Sequence, residues 1–332
     1  MEKIQETAIV LDTNSFGDIN TYNFEKSKIT ICANSFKNIK NITVFIPSIV
    51  IEELKKHILQ SIKLSKEKIK SIYLKKYIDD IVIENIYNAE TRKLEEFISN
   101  KNIKVIDCNK YTNLAEVNKW YFAEEFPFEK AKPKEFPDAM IISATKNYLK
   151  SDYDKVYVVS TDNGFKEAIK RKTKYTVSDD IGKIMEELLG IKEYEIRNCD
   201  GYIQNNNLLS NIDLYKLTTT EDGEYEIDEI NYNIMNIEII DKAEGHYIVC
   251  VDTSLKLQGD FTLLDPTMSF YDREDPEYSI LYYRTGKQIN IENYSVFLAL
   301  YFDNKKKIQR YENIEVEEIN ISDYFGQLDL VE

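Results

Sequence analysis

The sequence is poor in histidine, and its cysteines are widely separated. His57 and His246 are the only histidines in 332 residues, which argues against a Ser-His-Asp triad or a histidine-based metal site. The four cysteines include no Cys-x-x-Cys pair, so we expect buried thiols in a reducing cytosol. Uninterrupted apolar runs long enough for a membrane span are missing. The N-terminal segment lacks the features of a signal peptide, so we expect a cytoplasmic protein that does not contact the membrane.

The negative net charge belongs to the C-terminal part of the sequence. The net charge is −15, yet residues 201–332 hold 10 Lys/Arg against 26 Asp/Glu, which leaves 33 against 32 for residues 1–200. Within that nearly neutral part, residues 55–76 carry eight lysines and one glutamate. Such a basic helix face either attracts phosphates or is simply solvated, and both interpretations stay open.

Up to about residue 190, short apolar strands alternate with helical segments. The strand-like runs are AIVLD (8–12), ITVFIP (42–47), IKVID (103–107) and KVYVVS (155–160). Helical spacing of apolar residues follows from Ser48 to about Ile86, and shorter helices are expected after Asp138 and Asn163. This alternation predicts an α/β fold with a Rossmann-like parallel sheet and helices on both faces.

The pattern changes in the last third of the sequence. We predict an α/β domain over residues 1–190, a junction over 191–229 and an acidic, mainly antiparallel β domain over 230–332. The segment EDGEYEIDE (221–229) is interpreted as an acidic loop within the junction. Partner docking, substrate gating by charge and oligomerisation all remain open as roles for the acidic domain. A protein partner or a second copy of the chain is therefore expected there.

Four acidic residues recur at strand ends or helix starts in the first part. They are Asp12, Glu53, Asp138 and Asp162. Because sites in open α/β sheets form beyond the carboxyl ends of the strands, we expect these side chains to meet at one edge. Clustered carboxylates raise one another's pKa and stay ionised mainly around a divalent cation. Oxygen-only ligands select Mg²⁺ or Mn²⁺.

For each acid taken alone, capping of a helix N-terminus is the competing interpretation. The choice between the neighbouring Glu52 and Glu53 follows from helix geometry, because each residue turns the helix by about 100°. Glu53 falls beside the apolar stripe of Val50 and Leu54, whereas Glu52 points towards solvent. We therefore assign Glu53 to the predicted site.

The motifs around these acids resemble those of the PIN-domain nuclease family. LDTN, P-x-x-V-x-x-E-L, PDAMIISA and STDNGF follow one another in the family's order, and the resemblance covers about residues 7–190. It implies a metal-dependent nuclease that acts on RNA or, less often, on single-stranded or flap DNA. The four acids would then be both catalytic and metal-binding. The helical insertion over 60–100 is longer than in minimal members of the family.

The resemblance also suggests which polar residues lie beside the acids. Asn14, Thr161 and Asn163 match such positions and are predicted to contact the substrate. Lys134 precedes Asp138 by four residues and is either a phosphate contact or a solvated loop lysine. Metal-assisted phosphodiester hydrolysis needs no nucleophilic side chain, which agrees with the shortage of histidine.

A group of aromatic residues has two interpretations. Trp120, Tyr121, Phe122, Phe126 and Phe128 are expected either to stack on nucleic-acid bases or, more commonly for helical spacing, to form core or a lid.

Two alternatives to a nuclease remain open. One is a PIN-like scaffold with weak or no catalytic activity that binds a protein or nucleic-acid partner. The other is a haloacid-dehalogenase-type phosphohydrolase, which requires a second aspartate two residues after the first. Asn14 occupies that position, which argues against this class.

Overall fold

The fold was obtained as a computed structural model of the chain. It describes residues 6–16, 24, 27–39, 41–68, 80–128, 135–150, 152–211, 218–219, 223–243, 245–264, 282–303, 307–316, 319–320 and 328–330. The chain divides into two compact units. Unit 1 comprises Met1–Leu64 and Ile83–Met185, and unit 2 comprises Ser65–Val82 and Glu186–Glu332.

Unit 1 is built on a five-stranded parallel sheet. Its strands are β1 (Thr7–Leu11), β2 (Ile42–Pro47), β3 (Lys104–Ile106), β4 (Lys155–Val159) and β5 (Thr176–Ser178), in the order β3-β2-β1-β4-β5. All five residues of β1 are buried, as expected for an apolar strand in the middle of a parallel sheet. The chain leaves β1 towards β2 on one side and returns to β4 on the other, which places the topological switch point between β1 and β4.

Helices connect these strands. They are α1 (Lys28–Asn38), α2 (Ser48–Lys68), α3 (Asp80–Asn100), α4 (Cys108–Tyr111), α5 (Leu114–Phe122), α6 (Phe136–Leu149), α7 (Asn163–Lys172) and α8 (Ile181–Leu188). The parallel sheet with its helices confirms the predicted α/β fold. The helix boundary expected near Ile86 was wrong, because α3 continues through it to Asn100. Residues 69–79, the middle of the expected long helix, lie outside the described residues. None of the described helices is both long and apolar enough to cross a membrane.

Unit 2 contains an antiparallel sheet of long strands. The described elements of this unit are α9 (Glu193–Asn205), β6 (Thr218–Thr219), β7 (Gly223–Ala243), β8 (His246–Leu264), β9 (Tyr283–Phe302), β10 (Ile308–Val316), β11 (Ile319–Asn320) and β12 (Leu328–Leu330). The strand order is β10-β9-β8-β7, and β12 also pairs with β9. Residues of α9, such as Cys199 and Ile203, join the sheet's buried apolar core. The predicted antiparallel β fold is confirmed.

The acidic segment 221–229 was interpreted wrongly as a loop. From Gly223 onwards it is the first part of β7, paired with β8. Tyr225 and Ile227 are partly buried, whereas Glu224 and Glu226 between them are exposed. The period-two alternation that defines a half-buried strand was therefore present, and the acidic residues form its solvent face. All four cysteines of the chain are buried, as expected.

Candidate active site

Asp12 lies at the switch point of the parallel sheet, directly after β1. Its backbone N–H donates to the carbonyl oxygen of Val159 at 3.1 Å, which ties the ends of β1 and β4 together. Its carboxylate is buried and its Oδ2 accepts a 2.7 Å hydrogen bond from Ser160 Oγ. A weaker bond of 3.4 Å comes from Asn14 Nδ2. The predicted residue is therefore held rigidly at the carboxyl edge of the sheet.

The surroundings of Asp12 disfavour its negative charge overall. Burial raises the pKa of Asp12, and the nearby carboxylate of Glu53 raises it further. The hydrogen bonds from Ser160 and from the backbone of Thr13 and Asn14 act in the opposite direction without cancelling the effect of burial. A carboxylate in this position is stabilised by any cation that binds beside it.

Glu53 approaches the same edge from the first turns of α2. Its Oε2 accepts a 2.5 Å hydrogen bond from Thr13 Oγ1, the residue that follows Asp12. Glu53 is partly buried, whereas Glu52 is exposed, as helix geometry predicted.

Asp138 lies in the first turn of α6, where Pro137 also stands. Burial is the largest influence and, together with the charges of Asp12, Glu135 and Glu53, raises the pKa of Asp138 to about 8. The mutual influence of Asp12, Glu53 and Asp138 shows that the fold brings three of the four predicted acids near one another. In the absence of a cation, Asp138 is therefore mostly protonated at neutral pH.

Asp162 has a different local role from the other three acids. Its Oδ1 accepts a 2.7 Å hydrogen bond from the backbone N–H of Phe165, so it is the N-cap of α7. The capping interpretation considered for each acid thus applies to this one. Its backbone N–H donates to Ser160 Oγ at 3.1 Å, which connects Asp162 to Asp12 through a shared hydroxyl.

The predicted substrate contacts are distributed around this edge. Asn14, Thr161 and Asn163 are exposed. Asn14 and Thr161 line a cavity of about 280 Å³, which is also lined by Lys28 and Asp180, an ion pair at 2.9 Å. Lys134 lies outside the described residues. The cavity offers amide and hydroxyl groups next to the acidic edge, as a substrate subsite would.

The donor chemistry of the site fits a divalent cation. Asp12, Glu53 and Asp138 supply only carboxylate oxygens, which hard cations prefer, and their mutual repulsion is relieved by a bound positive charge. These three carboxylates are not arranged around one common metal position, however. Among the described residues, no three Asp, Glu, His or Cys side chains are grouped closely enough to hold one metal ion. Thr13 and Ser160 instead hold the carboxylates by hydrogen bonds.

Sequence reasoning missed two residues and gave a third only part of its role. Thr13 orients Glu53, and Glu135 adds both negative charge and a hydrogen bond to Asp138. Ser160 was assigned to the strand-like run 155–160, yet it bonds both Asp12 and the backbone N–H of Asp162. Glu135 precedes Asp138 by one helical turn, a spacing that was visible in the sequence. The pairings of Thr13 and Ser160 join segments far apart in the chain, and no local pattern indicates them.

Comparison with known families concerns the α/β part of the chain. Residues 9–165 match the family model of the PIN domain, which confirms the resemblance inferred from the four motifs. PIN domains are generally nucleases that use divalent metals, so the match supports a nuclease-type function for this part of the chain. The C-terminal domain has no family match. No curated protein matches the sequence.

Proposed function

We propose that the protein is a divalent-metal-dependent endonuclease that hydrolyses phosphodiester bonds in RNA. One observation carries the proposal. The charge of Asp12, 126 positions earlier in the sequence, raises the pKa of Asp138, and we infer that the two carboxylates lie near each other at the carboxyl edge of the sheet. Repulsion between neighbouring carboxylates lowers stability, and proteins retain it mainly at functional sites. The metal site of a hydrolase is a site of this kind.

Asp12, Glu53 and Asp138 are proposed to hold Mg²⁺ or Mn²⁺, and Asp162 completes the set by its place in the motif. A bound ion would lower the pKa of a coordinated water and neutralise the phosphodiester oxygens. The chain's own contribution is positioning. Ser160 fixes the orientation of the Asp12 carboxylate, and Thr13 fixes that of Glu53.

The polar residues on the open side are proposed to bind the substrate. Asn14 and Thr161 would donate hydrogen bonds from the wall of the cavity to sugar or phosphate oxygens. Asn163 is the first residue of α7 and would do the same from the helix start. Lys134 remains a proposed phosphate contact on the basis of its sequence position alone. The acidic C-terminal domain is proposed to engage a protein partner or a second copy of the chain.

The test is a cleavage assay on RNA, single-stranded DNA and duplex DNA with Mg²⁺, Mn²⁺ or a chelator. We expect metal-dependent cleavage of RNA by the wild type, and a loss of at least about 100-fold in Asp12→Asn, Asp138→Asn and Glu53→Gln. Glu52→Gln is the matched control, because this neighbouring glutamate is exposed and has no place in the site. Activity that persists with chelator, or survives in Asp12→Asn, would refute the proposal.

A second candidate is a scaffold with weak or no catalytic activity. It is favoured by the observation that no three acids of the described residues are grouped around a single point. The scaffold predicts nucleic-acid or protein binding without cleavage, and no thermal stabilisation by Mg²⁺ or Mn²⁺. The nuclease predicts that either ion raises the melting temperature of the wild type and leaves that of Asp12→Asn unchanged.

A further inference from the structure

A group of aromatic side chains lies on the surface of unit 1. We call Tyr121, Phe122 and Phe136 the aromatic patch. Their exposed fractions are 36%, 82% and 38%, which is unusual for large apolar side chains. The ring centroids of Tyr121 lie 5.3 Å from Phe122 and 5.0 Å from Phe136, and the buried Phe128 supports both Tyr121 and Phe136 from below. The patch is therefore a continuous aromatic surface on a packed base.

The aromatic patch includes the first residue of α6, the helix that also carries Asp138. Phe136 is the first residue of α6, and Asp138 lies in the same helical turn. A helix rises about 1.5 Å per residue, so the backbones of these two residues are only a few ångströms apart. Two positions correspond to about 200° around the helix, so a ligand that covers Phe136 reaches the first turn of α6 on a different face from the Asp138 side chain.

Positively charged side chains lie over Trp120 and Phe126, which stand on either side of Tyr121 and Phe122 in the sequence. We call Lys170, Arg171 and Lys172, the last turn of α7, the basic rim. The Arg171 guanidinium lies 4.2 Å from the ring centroid of Phe126, and Lys172 Nζ lies 4.8 Å from that of Trp120.

Acidic neighbours offset only part of this charge. Lys170 pairs with Glu167 at 3.1 Å, Arg171 Nε lies 4.0 Å from the same carboxylate, and Lys172 pairs with Glu125. Even so, residues 163–174 hold five Lys/Arg against one glutamate.

We propose that the aromatic patch stacks on unpaired bases of a single-stranded nucleic acid whose phosphates follow the basic rim. This inference rests on the proposed function, because it identifies the strand form that is presented to the acids. Exposed rings next to cations are the combination that binds single strands with little sequence preference.

The same features disfavour other partners. A duplex keeps its bases stacked on each other and leaves the rings without a partner. Lysine is depleted from protein–protein interfaces, whereas the last turn of α7 carries Lys170 and Lys172.

The test measures binding without cleavage. Fluorescence anisotropy with labelled RNA and DNA oligonucleotides, single-stranded and duplex, is recorded in chelator. We expect the wild type to prefer single strands. Phe122→Ala and Phe122→Leu should bind single strands roughly 10-fold more weakly, whereas Phe122→Trp should retain binding because it keeps an aromatic face. Leu114→Ala is the matched control, since this side chain is 60% exposed on the same helix but lacks a ring.

Salt dependence separates stacking from phosphate contact. Arg171→Gln should reduce the slope of log affinity against log salt by roughly 0.7, the value expected for one lost phosphate contact on a single strand. Phe122→Ala should weaken binding without changing the slope. Circular dichroism should show all these variants folded, because the substituted side chains are exposed.

The outcomes distinguish the two proposals. Weaker binding in the Phe122 variants without any metal-dependent cleavage by the wild type would support the patch and refute the nuclease. Cleavage with unchanged binding in Phe122→Ala and Phe122→Leu would support the nuclease and refute the patch. Equal loss in Phe122→Leu and Phe122→Trp, a preference for duplex, or failure of the wild type to bind single strands would also overturn the inference. The inference would also be overturned if the Phe122 substitutions changed the self-association of the protein and left its nucleic-acid binding unchanged.

Discussion

Ser160 Oγ donates a 2.7 Å hydrogen bond to Asp12 Oδ2, and both side chains are buried. Asp12 follows β1 and Ser160 follows β4, so one hydroxyl joins the ends of two adjacent strands that are far apart in sequence. Ser160 Oγ also accepts a 3.1 Å hydrogen bond from the backbone N–H of Asp162. The orientation of the Asp12 carboxylate is therefore set by the sheet before any ligand arrives, which is the arrangement that supports metal ligands in proteins.

The first prediction follows from this bond. Ser160→Ala should lower the affinity for Mn²⁺ or the metal-dependent activity roughly 10- to 100-fold, because the Asp12 carboxylate loses the donor that orients it. Metal affinity is measured by isothermal titration calorimetry and activity by RNA cleavage. Ser35→Ala is a suitable control, since Ser35 is a buried serine of α1 whose hydroxyl donates to the Ile31 carbonyl oxygen of its own helix. Equal affinities in wild type and Ser160→Ala would contradict the prediction.

The second prediction concerns the repulsion around Asp138. Asp138→Asn should stabilise the metal-free protein by about 1 to 2 kcal/mol at pH 8, because it removes a charge that burial and Asp12 disfavour. The same variant should lose stabilisation by Mg²⁺ or Mn²⁺. Both effects are read from thermal or urea unfolding, with and without metal. A destabilised metal-free variant would show that Asp138 is held by structural contacts instead.

The pH dependence of that effect has a defined sign. The pKa of Asp138 rises to about 8 in the folded protein from an ordinary value of 3.8. Between these values the folded state binds more protons, so this group lowers the free energy of unfolding as the pH rises from 4 to about 8. The stability difference between Asp138→Asn and wild type should therefore grow over this range. A stability difference that stays constant from pH 4 to about 8 would contradict the raised pKa of Asp138.

The third prediction concerns a buried carboxylate in unit 2. Glu195 is 4% exposed, and its Oε1 accepts hydrogen bonds from Tyr247 OH at 2.6 Å and Lys242 Nζ at 2.9 Å. Burial favours the neutral form, but these bonds and one from the Lys192 N–H outweigh it and lower the pKa of Glu195 to about 2. Glu195→Gln should therefore reduce the free energy of unfolding by about 2 to 3 kcal/mol at pH 7.

The acid dependence of this contribution tests its origin. Because the pKa of Glu195 is depressed from 4.5, its contribution is complete above about pH 4.5 and is lost as the pH falls towards 2. The stability gap between wild type and Glu195→Gln should narrow over that range in urea titrations. Glu193→Gln serves as the control, since the exposed Glu193 pairs with the exposed Arg197 one turn away. A gap that stays constant below pH 4 would contradict the assignment.

The fourth prediction concerns Gly259 in β8. A Cβ atom at this position would lie 2.0 Å from the carbonyl oxygen of Glu226 on the neighbouring strand β7, where the register also shifts. Gly259→Ala should therefore destabilise the protein by about 2 kcal/mol or more, because backbone has to move. Gly201→Ala in α9 meets nothing within 4 Å and should stabilise by about 0.5 to 1 kcal/mol. Equal melting temperatures for the two variants would contradict this account.

Local patterns were sufficient for most elements of the fold. The four apolar runs of unit 1 became β1 to β4 because buried parallel strands need continuous apolar residues. The start of α2 at Ser48 and the exposure of Glu52 also followed from local rules. The strand over 223–229 was missed because acidic residues alternate with Tyr225 and Ile227, so that the segment as a whole is strongly charged. The dense charge there was interpreted as a solvated loop, yet one face of an antiparallel strand tolerates charge.

The amino-acid sequence alone determined which acids terminate strands or begin helices, because apolar periodicity and backbone geometry act over a few residues. Tertiary structure decided how these acids divide their roles. It brought Asp12, Glu53 and Asp138 into electrostatic contact, made Asp162 the cap of α7, and supplied Ser160 and Thr13 as hydroxyl donors. These pairings depend on which strands become neighbours in the sheet, and that order results from packing the whole unit.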